Sequence, residues 1–264
     1  MFEIAKSYLK LKIAMSDGVC AGLDPITPHL FASQCTRFID GFIVTLELLV
    51  FSSLIGFAVA VLIVMARVSG RPLLSIPAQA YTYVFRGTPL LVQLWILYYG
   101  LGSLGEAGLG PLWPFFKEGW WVGLLTLVLN TSAYVAEILR GGIENLPRGQ
   151  VEAAEACGMG WWLRMRRIIF PQALRIAWPA YGNEIILLLK GSALVSTVTV
   201  LDLMGQTRTI FARSYNLSIF LYGAILYLVM AGAITLILRF VEHRMAIPRV
   251  ARKAAADPAT APTR

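Results

Sequence analysis

The sequence predicts an all-α polytopic membrane protein, and three observations carry that expectation. Hydrophobic residues make up 57% and charged residues 14% of the 264-residue chain, and its mean hydropathy is +0.67. Soluble domains carry about a quarter charged residues, and disordered chains are poor in apolar ones, so both classes are excluded. Five stretches, near residues 41–66, 73–101, 121–140, 177–200 and 218–240, are long enough to cross a hydrocarbon core of about 30 Å, which takes about 20 helical residues. Finally, basic residues gather in alternate connections, as in a chain threaded back and forth through a bilayer. The excess of 23 Lys and Arg over 15 Asp and Glu follows from that threading. Without zinc-finger spacing or a basic helical stripe, it does not call for nucleic acid.

Residues 1–40 precede the first span and lack the uninterrupted apolar core and small-residue cleavage site of a signal peptide. Phe2, Ala5, Leu9 and Ile13 recur at helical spacing with Lys6, Lys10 and Lys12 between them. The segment reads either as an extracytoplasmic helix lying on the membrane surface or as an unstructured tail. Cys20, Cys35 and Cys157 are odd in number and widely spaced, so no metal site is expected. A Cys20–Cys35 bridge is conceivable on an oxidising face, but free thiols are the expectation. The first and last spans are the cleanest, with Glu47 the lone charge from 42 to 66 and none from 218 to 238. Both are expected to face lipid. The second is interrupted by Pro77, Arg86 and Pro89, and the fourth by Pro179, Glu184 and Lys190. Polar or broken helices survive at membrane depth only against protein or water, so the middle three are expected to form the bundle interior.

Orientation follows from the connections. Arg67 and Arg71 follow the first span, five arginines lie in 141–176, and Arg244, Arg249, Arg252, Lys253 and Arg264 fill the C-terminal end. The positive-inside rule puts these regions in the cytoplasm and, with five spans, the N-terminus outside. Residues 201–217 then form an external loop in which Arg208 and Arg213 outnumber Asp202, against the rule. The expected domains are the extracytoplasmic segment 1–40, the transmembrane domain 41–248 and a disordered cytoplasmic tail 249–264.

The segment 144–171 is too structured and apolar for a linker. Good helix formers run from Gln150 to Cys157. Gly158 ends that helix because glycine readily adopts the left-handed conformation at a C-terminus. A second helix, near 161–170, is expected to stop at Pro171, where the chain restarts as the next span. The exposed Ala153, Ala154 and tryptophans of this helical hairpin suit a groove on a partner protein. Glu152-Ala153-Ala154, then Gly158, then Ile168-Ile169-Phe170-Pro171 resembles the EAA loop of ABC importer permeases, whose pattern ends Ile-x-Leu-Pro; Phe170 is an apolar departure. Phe85 to Gln93, Asn130 to Glu137 and Pro179 to Glu184 narrow the resemblance to polar amino acid importers of the histidine/lysine/arginine and octopine/nopaline type, over about residues 35–248.

That resemblance implies a five-span inner-membrane permease with a cytoplasmic coupling helix. It implies pairing with a homologous subunit, a heterodimer ahead of a homodimer, together with two ATP-binding subunits and a periplasmic substrate-binding protein. Glu152, Ala153, Ala154, Gly158 and Pro171 would couple to the ATPase. No lysine among Lys6, Lys10, Lys12, Lys117, Lys190 and Lys253 follows a glycine, so the phosphate-binding loop G-x-x-x-x-G-K-[ST] is absent from this sequence. ATP and Mg belong to the partner chain; no cofactor is expected here, and the chain is not an enzyme.

The candidate substrate path comprises Thr88, Asn130, Asn183, Glu184, Lys190 and Ser192. Thr126, Asn130, Tyr134 and Glu137 fall on one helical stripe. An acid inside a span is costly and is a functional candidate by default, so Glu184 could meet the cationic end of a basic amino acid or opine. Against this, Ser, Thr and Asn often only bond neighbouring helices, and Glu137 with Arg140 reads equally as a structural ion pair. The tryptophans read as membrane-interface anchors, and His29 and His243 have no role. The alternative function is an ion-gradient-driven amino acid transporter with the buried charges as a proton relay, which leaves the hairpin without a purpose. The exact solute stays open.

Overall fold

The computed structural model describes residues 14–15, 17–20, 31 and 33–245, and these contain helices and no strands. The surface helix expected over residues 2–13 and the whole tail 249–264 lie outside the described residues, as does His29. In chain order the helices are α1 (Cys35–Arg67), α2 (Pro72–Gly87), α3 (Leu90–Trp95), α4 (Gly105–Leu109), α5 (Trp113–Phe116), α6 (Gly119–Glu144), α7 (Arg148–Ala156), α8 (Trp161–Arg164), α9 (Phe170–Ser192), α10 (Leu203–Ser214) and α11 (Ser218–Met245). By length and composition α1, α6 and α11 can each cross a membrane, and Trp161–Val198 passes the same test only together with Leu203–Ser214, from which it is bent by 50°, as a broken span or a re-entrant loop.

The first span keeps the exposed apolar face expected of it, with Leu54 64% and Leu62 71% exposed, but its other face is packed. It packs along α6 and also meets α2, α9 and α10, with Phe38, Thr45, Leu48, Ser52, Ala60 and Val64 fully buried. The cause is a row of small and hydroxyl residues, Gly41, Thr45, Ser52, Gly56 and Ala60, one or two turns apart on one face. In lipid, close approach of backbones drives helix association where hydropathy cannot. The last span, α11, does lie at the periphery, with Ile219, Gly223 and Met230 as its buried residues.

The second stretch departs from the expectation twice. It is two helices, parted at Thr88 and Pro89, because Pro89 lacks the N–H that a continuous helix would need and biases Thr88 towards extended backbone. Its first half is not interior either, since Thr82 alone is buried and Leu73 and Tyr83 stand 87% and 81% exposed.

The fourth stretch runs further than expected and does not restart at Pro171. The backbone widens to a π-helix over Met165–Ile169 and continues into α9, relieving the clash of the proline ring with the preceding turn. At its far end it tightens into a 3-10 turn, Ala193–Val198. There Gly119 of α6 approaches so closely that a Cβ would lie 1.9 Å from the Val198 carbonyl oxygen.

The external loop expected over 201–217 holds a twelve-residue helix, α10. Asp202 caps it by accepting from the Gly205 N–H at 2.9 Å, and Leu203, Thr207 and Ile210 are buried. Cys20 and Cys35 are joined as a disulfide, contrary to the expectation of free thiols, while Cys157 is free and exposed. Phe31 stacks on Phe38 beside this bridge.

Candidate functional site

Two features meet on the scaffold: the helical hairpin and a polar cleft between the broken second stretch, α6 and α9. The hairpin begins with α7. Gly158 takes φ +73, which lets its N–H reach the Glu155 carbonyl (2.9 Å) and the Met159 N–H reach the Ala154 carbonyl (3.1 Å). These are the two bonds of a Schellman motif, and they turn the chain back into α8. Arg164 of α8 forms an ion pair with Glu155 of α7, a second tie across the turn. Leu146, Met165, Ile169 and Ala173 then form a small core with Met65, Val68, Ile143 and Val151. That core fixes the hairpin to the ends of α1 and α6, so its position follows theirs. Ala154, expected to be exposed, is buried at 3% exposure. Glu152 and Ala153 are exposed, as are Trp161 and Trp162.

The cleft encloses about 430 Å³ and is lined by Arg86, Thr88, Pro89, Asn130, Tyr134 and Glu184, among others. Gln93 ties the break at Pro89 to α6. Its Nε2 donates to the carbonyls of Phe85 (2.8 Å) and Thr88 (3.0 Å) and to the Thr88 hydroxyl (2.8 Å), and its Oε1 accepts from Asn130 Nδ2 at 3.1 Å. One amide thus satisfies the backbone groups that the break at Pro89 releases, as an irregular helix inside a membrane requires. The sequence reading quoted Gln93 within a motif and gave it no role. A Gln four residues after a Pro break is the signal that could have marked it. Glu184 is buried and accepts from the Thr131 hydroxyl at 3.3 Å. The Arg86 guanidinium lies 5.5 Å over the Tyr134 ring, and Tyr134 donates to the Arg86 carbonyl at 3.3 Å. A buried carboxylate and a guanidinium thus line one polar cleft.

A charge cluster that shares Arg86 with the cleft joins three helices. Glu137 of α6 pairs with Arg67 of α1 and, at 2.8 Å, with Arg140; Arg86 of α2 lies 3.9 Å away. Arg140 also pairs with Glu144, and Arg67 donates to Thr82 of α2 at 3.3 Å. Arg67, Arg140 and Glu137 are partnered by one another, the structural reading of Glu137 rather than the path reading, while Arg86 stays 44% exposed and also lines the cleft.

Of the candidate path residues, Thr88, Asn130 and Glu184 come together in the cleft, with Tyr134 beside them. Asn183 points the other way, into a depression between α9 and α11. Lys190 shares that outer face and lines an apolar groove of about 530 Å³ with Met204, Tyr227 and Leu228. Ser192 is buried and donates to its own helix at the Leu189 carbonyl, 2.8 Å away; Thr126 does the same to Val122 at 2.7 Å. A helical face is about a third of a turn wide, so adjacent Asn183 and Glu184 serve different neighbours. Among the described residues no group of three or more His, Cys, Asp and Glu could hold a metal ion.

The family described as binding-protein-dependent transport system inner membrane component matches residues 52–247. The octopine transport system permease protein OccM of Rhizobium radiobacter is 40% identical over 221 residues, 84% of this chain and 87% of its own length. The nopaline transport system permease protein NocM of Agrobacterium fabrum is 43% identical over 205 residues, covering 76% and 81%. The histidine/lysine/arginine/ornithine transport system permease protein HisM of Escherichia coli is 42% identical over 206 residues, covering 77% and 87%. Among solved structures, a chain of an amino acid ABC transporter with histidines superposes with a TM-score of 0.73 at 35% identity, over 83% of this chain and all of that one. A chain of the MetNI methionine ABC transporter shares the fold, with a TM-score of 0.68 at 19% identity, over 81% of this chain and 99% of that one.

Proposed function

The chain belongs to the inner-membrane components of binding-protein-dependent transport systems, and from that premise we propose that it is the permease subunit of an ATP-driven importer for a polar amino acid or opine. It is a transport subunit and not an enzyme. The observation that carries the reading is the hairpin: Glu152 and Ala153 exposed on a helix that a glycine turn, an ion pair and a small core attach to the ends of α1 and α6. A separate ATPase gripping that helix would move both spans with it. Glu152 then docks the ATPase surface, Ala153 allows close approach, Ala154 and Gly158 keep the hairpin closed, and Pro171 follows the π-helix that joins it to α9.

The translocation path runs through the cleft. Glu184 takes the cationic end of the solute and Arg86 its carboxylate, with Asn130 and Thr88 between them. A zwitterion with a second cationic group satisfies both charges. The octopine, nopaline and basic amino acid permeases among the relatives support that solute class. Closure of the ATPases rocks α6 and α9 through the hairpin and exposes the cleft to alternate sides, a two-state change biased by a partner. Thr88 and Pro89, where the second stretch is already parted, are the natural hinge.

The same reading takes the second stretch, α2 with Leu90–Leu101, as a broken fifth span, which makes residues 41–248 one transmembrane domain. The hairpin and C-terminus lie in the cytoplasm and residues 1–40 outside. The Cys20–Cys35 disulfide supports this orientation, since such bridges persist in oxidising compartments. The exposed apolar face of α2 leaves room for a homologous permease, and a heterodimer is favoured over a homodimer. Two ATP-binding subunits, which hold ATP and Mg, and an extracytoplasmic substrate-binding protein complete the complex. An ion-gradient mechanism gives the hairpin no task and finds no support among the relatives.

The test is co-reconstitution with ATPase, partner permease and receptor in proteoliposomes. ATP-dependent uptake of a basic amino acid or opine is expected. Uptake that persists without any ATPase but collapses with the proton gradient overturns the reading.

A further inference from the structure

The end of the molecule remote from the hairpin carries charge that the membrane-topology rule disfavours there. Arg208 and Arg213 of α10 are exposed, and Arg37 of α1 lines the same small depression as Arg213, together with Gln34, Ile210 and Ser214. None of the three belongs to an ion pair among the described residues. Arg208 and Arg213 also border an open cavity of about 660 Å³ with Thr199, Thr209, Phe211 and Phe220. Apolar side chains stand among them: Tyr215 is 83% and Leu217 73% exposed.

The backbone is shaped to present this surface. Among the described residues the two non-glycines with positive φ are Thr199 (+68°) and Tyr215 (+52°), and they flank α10. Glycine or asparagine would end α10 at less cost, so a tyrosine held there points to a task for its ring. Its N–H reaches the Phe211 carbonyl at 2.8 Å, and Asn216 Oδ1 accepts from the Ser218 N–H at 3.0 Å, which stiffens the turn. At the other end of α10, the Thr45 hydroxyl accepts from the Leu203 N–H at 3.0 Å. A Cβ on Gly41 would come 2.8 Å from Leu203 Cα, so α10 is seated directly on α1. A rigid platform bearing Arg and Tyr around apolar side chains has the composition of a protein interface and loses little entropy on binding.

We propose that α10 and the turn after it, with Arg37, form the docking surface for the importer's solute-loaded receptor, through acidic side chains on that receptor. This rests on the function proposed above, which puts this end outside the cell. Arginines with no ion pair among the described residues attract an acidic surface at long range and raise its association rate, while Tyr215 and Leu217 supply the desolvated contact. None of these residues lines the cleft or the hairpin.

The experiment uses the assembled transporter in nanodiscs and the importer's own purified receptor, loaded with amino acid. In R208E/R213E the receptor concentration for half-maximal stimulation of ATP hydrolysis rises on the order of tenfold at low salt. The difference shrinks at high salt, and ATP hydrolysis without receptor is unchanged. Y215A raises the same concentration without altering the salt dependence. If R208E/R213E fails to assemble, R208Q/R213Q is read in its place. An unchanged half-stimulating concentration in wild-type-like, receptor-dependent complexes overturns the docking surface alone. A defect that appears only in anionic nanodiscs also overturns it, by assigning the arginines to lipid headgroups. Wild-type complexes whose uptake needs neither receptor nor ATP overturn the importer reading itself.

Discussion

At Gly158 a single side-chain carbon decides whether the hairpin closes. Its φ of +73 is open to glycine and costs an L-residue about 1–2 kcal/mol, more when β-branched. G158V is expected to insert into the membrane normally yet to lose uptake and retain less ATPase on purification; full uptake would contradict the role given to the turn. Glu184 allows a sharper test. E184Q preserves an acceptor for the Thr131 hydroxyl and removes the charge. A hydrogen bond to a charged group contributes about 1.5–3 kcal/mol, so KM for a basic solute should rise by about ten- to a hundredfold with little change in thermal stability. An unaltered KM would remove Glu184 from the path. Gly158 was legible from helix-ending chemistry alone. Adjacent Asn183 and Glu184 were not separable, because which face of α9 turns to the cleft depends on neighbours distant in sequence.

At the scale of elements, the charge cluster and the small-residue row do different work. Glu137 holds Arg67, whose side chain is 13% exposed, so E137Q leaves that guanidinium with Thr82 as its neutral partner. Breaking a fully buried pair costs about 3–5 kcal/mol, and partial exposure here reduces that to about 1–3. The measurement is the melting temperature of the purified complex, with a fall of several degrees expected and no fall contradicting the structural role. Helix type was legible almost throughout, since long apolar runs have one solution in a bilayer. Placement was harder. Hydropathy read only the lipid-facing side of α1, although Gly41, Thr45, Ser52, Gly56 and Ala60 recorded its packed side in residue size. The helix α10 passed for a loop because its buried face mixes Leu203 and Ile210 with Thr207, and Asp202 as an N-cap was the overlooked sign.

At the scale of the whole molecule, the proposed lever is joined to a cleft lined by α6 and α9. The hairpin core links Leu146 and Met165 to Met65 on α1 and Ile143 on α6, while α6 and α9 both line the cleft, so motion at one end must reach the other. The pattern from Glu152 to Pro171 pointed to the proposed lever because it is local, with its residues at fixed offsets in one segment. The cleft has no such local code, since it is assembled from three separate stretches. Cys157 gives the most direct test of the lever, being free and exposed on the hairpin while Cys20 and Cys35 are bridged. A membrane-impermeant maleimide should leave Cys157 unmodified in intact cells, alkylate it in inside-out vesicles stripped of ATPase, and react far more slowly once the ATPase subunits are restored. Alkylation in intact cells, or equal rates with and without the ATPase, would contradict the account.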